Sequence, residues 1–143
     1  MYDRILLPTD GSQGNTRAVD QALELAETTG ADLHVLFVVE DLSYAPEMMD
    51  GQVHAKLRQI GENATEEIRE RADELGVQVE TALEDGIPHR EILEYADGNG
   101  CDLIVMGTHG RSGLDRYLLG SVTERVVRTA EIPVLTVRVS EDE

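Results

Sequence analysis

Short apolar runs alternate along this chain with longer stretches in which apolar residues recur every three or four positions. The first pattern is that of a strand and the second that of a helix with one buried stripe, so their alternation predicts βαβ units on a parallel sheet. The first strand is Ile5 to Leu7, stopped by Pro8. After the turn Thr9-Asp10-Gly11-Ser12, the spacing of Ala18, Val19, Ala22, Leu23 and Ala26 predicts a helix that Gly30 terminates. Leu33 to Val39 is almost continuously apolar, the pattern of a strand covered on both faces near the sheet centre. Residues 40–51, with Pro46 and two methionines, read as a loop into the longest helix, whose stripe is Val53, Leu57, Ile60, Ala64, Ile68, Ala72 and Leu75 and whose end is Gly76.

The strand Val77 to Leu83 differs from the others. Val77, Val79, Thr81 and Leu83 alternate with polar residues, which predicts a half-exposed edge. Asp85-Gly86 marks a turn, and Pro88 suits the first position of a short helix through Ile92, Leu93 and Ala96. Leu103 to Met106 is the fourth strand. Ser121 opens a fourth helix with Val122, Val126, Val127 and Ala130 on one side, and Val134 to Val139 is the last strand before a frayed acidic end, Glu141-Asp142-Glu143. Five strands and four helices in strict alternation, without repeat or linker, predict one α/β domain over residues 1–143: a doubly wound parallel sheet with helices on both faces.

Composition narrows the class. An apolar share of 41% is enough for one core, and the lone Cys101 excludes an intrachain disulfide. Cys101 reads as a small packing residue before a buried strand. The apolar runs are too short to span a bilayer, and the charged Asp3 and Arg4 follow closely on Met1, so the expectation is a cytoplasmic protein. Acidic residues number 29 against 12 basic, a net charge of −17 that argues against nucleic acid as a partner. Lys56 is the sole lysine. Together these features suggest a halophilic protein, because at molar salt the Debye length falls to about 3 Å and the self-repulsion of such a surface is screened.

Candidate chemistry gathers in two loops. In open parallel sheets ligands settle beyond the carboxyl ends of strands where the winding reverses. Pro8-Thr9-Asp10-Gly11-Ser12 follows the first strand, and the glycine-dense run from Gly107 to Gly120 follows the fourth. Glycines let a ligand approach backbone N–H groups closely, and the helix start at Gly120-Ser121-Val122-Thr123 offers free N–H groups and a positive dipole end to an anion. Ser121 and Thr123 carry hydroxyls that can add to these donors. A helix cap at Ser121, a turn or N-cap role for Asp10, and a solvent-facing His109 are the plain structural readings of the same residues. Neither the lysine-bearing P-loop nor the G-x-G-x-x-G fingerprint occurs.

Gly107, two residues, Gly110, nine residues, then Gly120-Ser121 resembles the G-x2-G-x9-G-[ST] pattern of ATP-binding universal stress proteins, and Pro8-Thr9-Asp10-Gly11-Ser12 resembles their first-strand loop. The resemblance implies the sheet order 3-2-1-4-5 of the adenine nucleotide alpha-hydrolase-like fold. It also implies ATP or another adenine nucleotide, with Mg2+ on the phosphates, as the ligand. Carried over by position, Pro8, Thr9 and Asp10 line the adenosine pocket and the backbone of Val38 meets the adenine edge. Met106, Gly107, His109, Gly110 and Arg111 follow the ribose and phosphates, and Gly120, Ser121, Val122 and Thr123 hold the phosphate tail. Asp10 is the candidate to reach the metal through water. Arg111 and Arg116 supply local positive charge, and the last strand, Val134 to Val139, pairs with its counterpart in a homodimer.

His34, His54, His89 and His109 lie on different elements without an evident serine or cysteine partner, so no dedicated hydrolase site is read, and hydrolysis is expected to be slow at most. The leading expectation is a nucleotide-dependent stress-response or signalling module. The alternative is a dimeric protein-interaction module that regulates a partner without nucleotide turnover. An adenylyl transferase would carry an HxGH signature, which is missing. If the acidic surface is an adaptation to salt, the thermal unfolding midpoint rises from dilute buffer to molar KCl; an optimum in dilute buffer would contradict it.

Overall fold

A computed structural model of the chain describes residues 2–11, 15–40, 51–108 and 120–138. Along these run β1 (Arg4–Thr9), α1 (Thr16–Thr29), β2 (Asp32–Glu40), α2 (Gly51–Glu74), β3 (Val79–Gly86), α3 (Pro88–Gly98), β4 (Leu103–Gly107), α4 (Ser121–Thr129) and β5 (Val134–Val137). The strands form one sheet in the order β3-β2-β1-β4-β5, and every neighbouring pair is parallel. The expected order and the edge position of β3 are both borne out.

Alternation along the pleat sends successive side chains to opposite faces, and both faces are apolar. Ile5, Leu7, Leu33, Val35, Leu103 and Val105 point to one side, where they meet Ala18, Val19, Ala22, Leu23 and Ala26 of α1 and Ile68 and Ala72 of α2. Leu6, Leu36, Ile104 and Met106 point to the other, against Ile92 and Ala96 of α3 and Val126 of α4. The two cores account for the near-continuous apolar runs in β1, β2 and β4. Cys101 belongs to the second core, and burial first, then Asp102, pushes its thiol up to about 11, with Arg4 opposing. It is a neutral packing side chain at physiological pH.

Several boundaries differ from the sequence reading. Pro8 does not stop β1; the strand continues to Thr9, with Pro8 opposite Leu36. Pairing toward β4 involves only Ile5 and Leu6, so the far part of β1 is laddered on one flank and tolerates a residue without an N–H. Strand β3 starts at Val79 rather than Val77, and Asp85 and Gly86 extend it instead of forming a turn. Val127 is 44% exposed, because α4 lies at the margin of the sheet beside β5 and buries only the strip through Thr123 and Val126. Of the loop read over residues 40–51, Glu40 ends β2 and Gly51 begins α2, while residues 41–50, Ser12, Val139 and the acidic end lie outside the described residues.

Helix α2 shows the largest shift. Its buried residues are Gly61, Thr65, Ile68 and Ala72, whereas Ile60 and Leu75 are exposed. At 1.5 Å per residue its 24 residues reach about 36 Å, while the eight residues of β3 span about 26 Å. The first turns therefore overhang the carboxyl ends of the strands. Where helix and sheet meet, Phe37 presses on Gly61 so closely that a Cβ there would stand 2.5 Å from its Cδ1. Glycine at 61 is thus a packing requirement, since the obstructing atoms belong to the inner part of a buried ring.

Candidate functional site

With β2 and β3 on one side of β1 and β4 and β5 on the other, the winding reverses between β1 and β4, which is where a parallel sheet opens a crevice. A cavity of about 380 Å³ lies at the carboxyl ends of these strands. Pro8, Thr9 and Asp10 enter from β1 and its loop, Val38 from β2, Met106 and Gly107 from β4, and Gly120, Ser121, Val122 and Thr123 from the start of α4. All of the nominated residues within the described part of the chain thus border one cavity. His109, Gly110, Arg111 and Arg116 lie outside the described residues.

Local hydrogen bonds set the geometry of the β1 side. Gly11 takes φ +78°, a left-handed conformation, and its N–H donates to the Thr9 hydroxyl oxygen at 3.2 Å. A Cβ on Gly11 would lie 3.0 Å from Ile60 of α2, so the loop is wedged beneath the overhanging helix. Asp10 is not the N-cap of α1; that position belongs to Asn15, whose side chain donates to the Asp10 carboxylate at 2.8 Å.

On the β4 side, two bonds hold the start of α4 against the strand end. The Gly120 N–H donates to the Thr108 carbonyl at 2.6 Å, and the Thr123 hydroxyl donates to the Gly107 carbonyl at 2.8 Å. Thr123 is 3% exposed. Its hydroxyl is spent on the backbone, which corrects the expectation that it adds a donor for a ligand; Thr123 instead fixes where the helix begins. Gly120 is the N-cap, among the described residues no side chain caps the helix, and Gly120, Ser121, Val122 and Thr123 at its start all line the cavity. They carry the positive end of the helix dipole.

The remaining lining was not legible in advance. Asn15, Leu36, Phe37, Val39, Glu40, Leu57, Pro88 and Ile92 complete the walls. Apolar position alone marks most of them only as core. The carboxylates of Asp10 and Glu40 stand at the ends of β1 and β2, whereas α4 presents its positive terminus across the switch, so the cavity has an acidic side and an anion-attracting side. Beyond the lining residue Pro88, desolvation first and then the positive charges of Arg125 and Arg90 lower the pKa of His89, which favours the neutral imidazole.

A second hollow of about 440 Å³ sits at the opposite, amino end of the sheet, lined by Arg4, Asp32, His34, Glu80 and Asn99 among others. It is the larger of the two, but its walls are almost wholly polar, carry both signs of charge and include no helix start. Beside it His34 is buried against Tyr95, with Nδ1 and the phenol oxygen 2.8 Å apart, and burial first, then Glu80, pushes the phenol up to about 12. Among the described residues no three His, Cys, Asp or Glu side chains cluster to hold a metal, and no helix is long and apolar enough to cross a membrane.

A parallel sheet with a switch-point crevice facing a helix start defines a class of small-ligand-binding α/β proteins. Comparison sharpens this, since the sequence profile of the Universal stress protein family matches residues 1–138. The chain belongs to that family. It is 37% identical over 141 residues to universal stress protein MJ0531 of Methanocaldococcus jannaschii, covering 96% of this chain and 83% of that protein. Among solved structures, the hypothetical protein MJ0577 of the same organism superposes with a TM-score of 0.81 at 32% identity, with 99% of each chain covered. A universal stress protein in complex with cAMP gives a TM-score of 0.72 at 30% identity over 97% of this chain and 98% of its own.

The Thr123 bond yields a direct expectation. Thr123→Val leaves the buried Gly107 carbonyl unpaired and costs about 1–3 kcal/mol in denaturant unfolding, while Thr123→Ser keeps the hydroxyl and recovers most of the loss. Equal stability of the valine and serine variants would show that the bond does not hold the helix start.

Proposed function

We propose that this protein binds an adenine nucleotide, ATP in the first instance, in the cavity between β1 and β4, and acts as a nucleotide-dependent stress-response or signalling module with at most slow hydrolysis. The observation that carries the reading is the uncapped start of α4, which is bonded to the end of β4 and opens onto the switch-point crevice. The family relative in complex with cAMP supports an adenine nucleotide as the ligand class. The charge layout orients it: phosphates at α4, and the nucleoside between Asp10, the backbone of Val38 and the apolar walls. The overall charge of −17 repels a polyphosphate, so attraction has to be local. The α4 terminus provides it.

Mg2+ fits this arrangement as a phosphate-borne ion. It keeps several waters and is commonly held by one or two carboxylates together with substrate phosphates, and Asp10 supplies one carboxylate at the cavity. When bound it would neutralise phosphate charge. Gly107, Gly110 and Gly120 keep the backbone open to the phosphates, His109 and Arg111 follow them, and Ser121 adds a hydroxyl.

Ser121 allows a clean test, because it occupies the first helical position, where proline is tolerated, and Gly120 before it already has the extended ψ of 155° that proline demands. Ser121→Pro deletes one amide donor and leaves the helix intact; Ser121→Ala deletes only the hydroxyl. By isothermal titration with Mg-ATP at high salt, the proline variant is expected to bind about tenfold more weakly, the loss of one hydrogen bond to a charged group, with its ligand-free melting temperature unchanged. Absence of any Mg-ATP-dependent rise in the wild-type melting temperature would overturn the nucleotide reading and favour the protein-interaction alternative.

The same reading includes a homodimer through the β5 edge. Leu135 on β5 and Val127 on the adjoining α4 are 37% and 44% exposed, and an unpaired edge strand with apolar neighbours suits two-fold pairing. Sedimentation equilibrium is expected to give twice the chain mass of 15.7 kDa, and a monomer would refute this part.

A further inference from the structure

Asn15 is 6% exposed, sits at the N-cap of α1 and borders the cavity. An asparagine at an N-cap ordinarily accepts a hydrogen bond from a first-turn N–H, and that contact is a recurrent source of helix stability. Here the side chain makes no capping bond. Its amide nitrogen instead donates to Oδ1 of Asp10, five residues back in the sequence, at 2.8 Å. With its backbone already helical at φ −84° and ψ −2°, this buried polar side chain is not placed to cap, and a donor turned to a cavity-lining carboxylate is arranged for the carboxylate rather than for the helix.

We infer that Asn15 is a positioning residue: by donating to Oδ1 it fixes the Asp10 carboxylate in the orientation that accepts hydrogen bonds from the sugar hydroxyls of the bound nucleotide. The inference rests on the nucleotide-binding reading. An ionised carboxylate only accepts hydrogen bonds, so the ligand group facing Asp10 must carry donors, and the anionic phosphates are drawn to the α4 terminus across the cavity. In an adenine nucleotide the donor-bearing group next to the phosphates is the ribose. A charge-assisted bond from a buried amide also limits the cost of holding a carboxylate partly out of water, and it selects one rotamer before the ligand arrives. The sequence alone marks Asn15 only as a polar residue in a turn.

The test separates a cap from a positioner. Asn15→Leu keeps the side-chain volume and removes the donor without adding charge; Asn15→Ser, smaller and polar, serves if the leucine variant fails to fold. Affinities for Mg-ATP and for Mg-2′,3′-dideoxy-ATP are measured by isothermal titration for wild type and variants, with ligand-free melting temperatures alongside. The expected result is roughly tenfold weaker ATP binding in Asn15→Leu, little change for the dideoxy analogue, and a melting temperature lowered only slightly. Unchanged ATP affinity in the variants, or equal losses for the two ligands, would overturn the positioning role. If wild type itself binds no ATP, it is the underlying nucleotide reading that fails.

Discussion

Strands that are apolar on both faces cannot leave either face to water, and that requirement organises the rest of this molecule. Burial of Leu6, Leu36 and Ile104 on one side and of Leu7, Leu33 and Val35 on the other obliges the crossover helices to cover both surfaces of the sheet. Because each parallel crossover keeps one hand, covering both faces means that the chain returns to β1 and winds the other way. The crevice between β1 and β4 is a by-product of that reversal. The loops and helix starts that reach it rest on that packed core and are fastened at the strand ends by a few hydrogen bonds.

The polar chemistry of the crevice is correspondingly spare. One side is made by two strand ends with carboxylates, the other by a helix start fastened to the backbone through Thr123 and Gly120. Donor groups fixed in this way need no reorganisation when an anion arrives, which matters in a chain whose total charge opposes the approach of one. The overhang of α2 adds an apolar wall at Leu57 and pins the Gly11 turn through Ile60. The same helix that shields the sheet therefore also shapes the site.

Much of this could be read from residue order. The alternating pattern after Val77 marked β3 as an edge, the unbroken run at Leu33 placed β2 inside, and Gly120-Ser121 announced a helix start at a strand end. What escaped reading was whatever depended on partners distant in sequence. The stripe on α2 was misjudged because its central contact is a glycine, and Gly61 is informative only once the single phenylalanine, Phe37, is known to lie against it. Thr123 at the third helical position has a hydroxyl that can serve either a ligand or the preceding strand, and periodicity is silent on which. Asn15 was hidden for the same reason, since its partner Asp10 lies five residues back, at a spacing that no helix or strand period marks.

The Thr108 peptide is tethered on both sides: its N–H donates to the Val137 carbonyl of β5 at 3.0 Å, and its carbonyl accepts from Gly120. The crossing from β4 to α4 is therefore closed at its base, with both ends anchored to the scaffold whatever lies between them. For a segment closed in this manner, doubling its length adds only about 0.6 kcal/mol of closure entropy. A change of length or composition between those two anchors therefore leaves the sheet and the start of α4 in place.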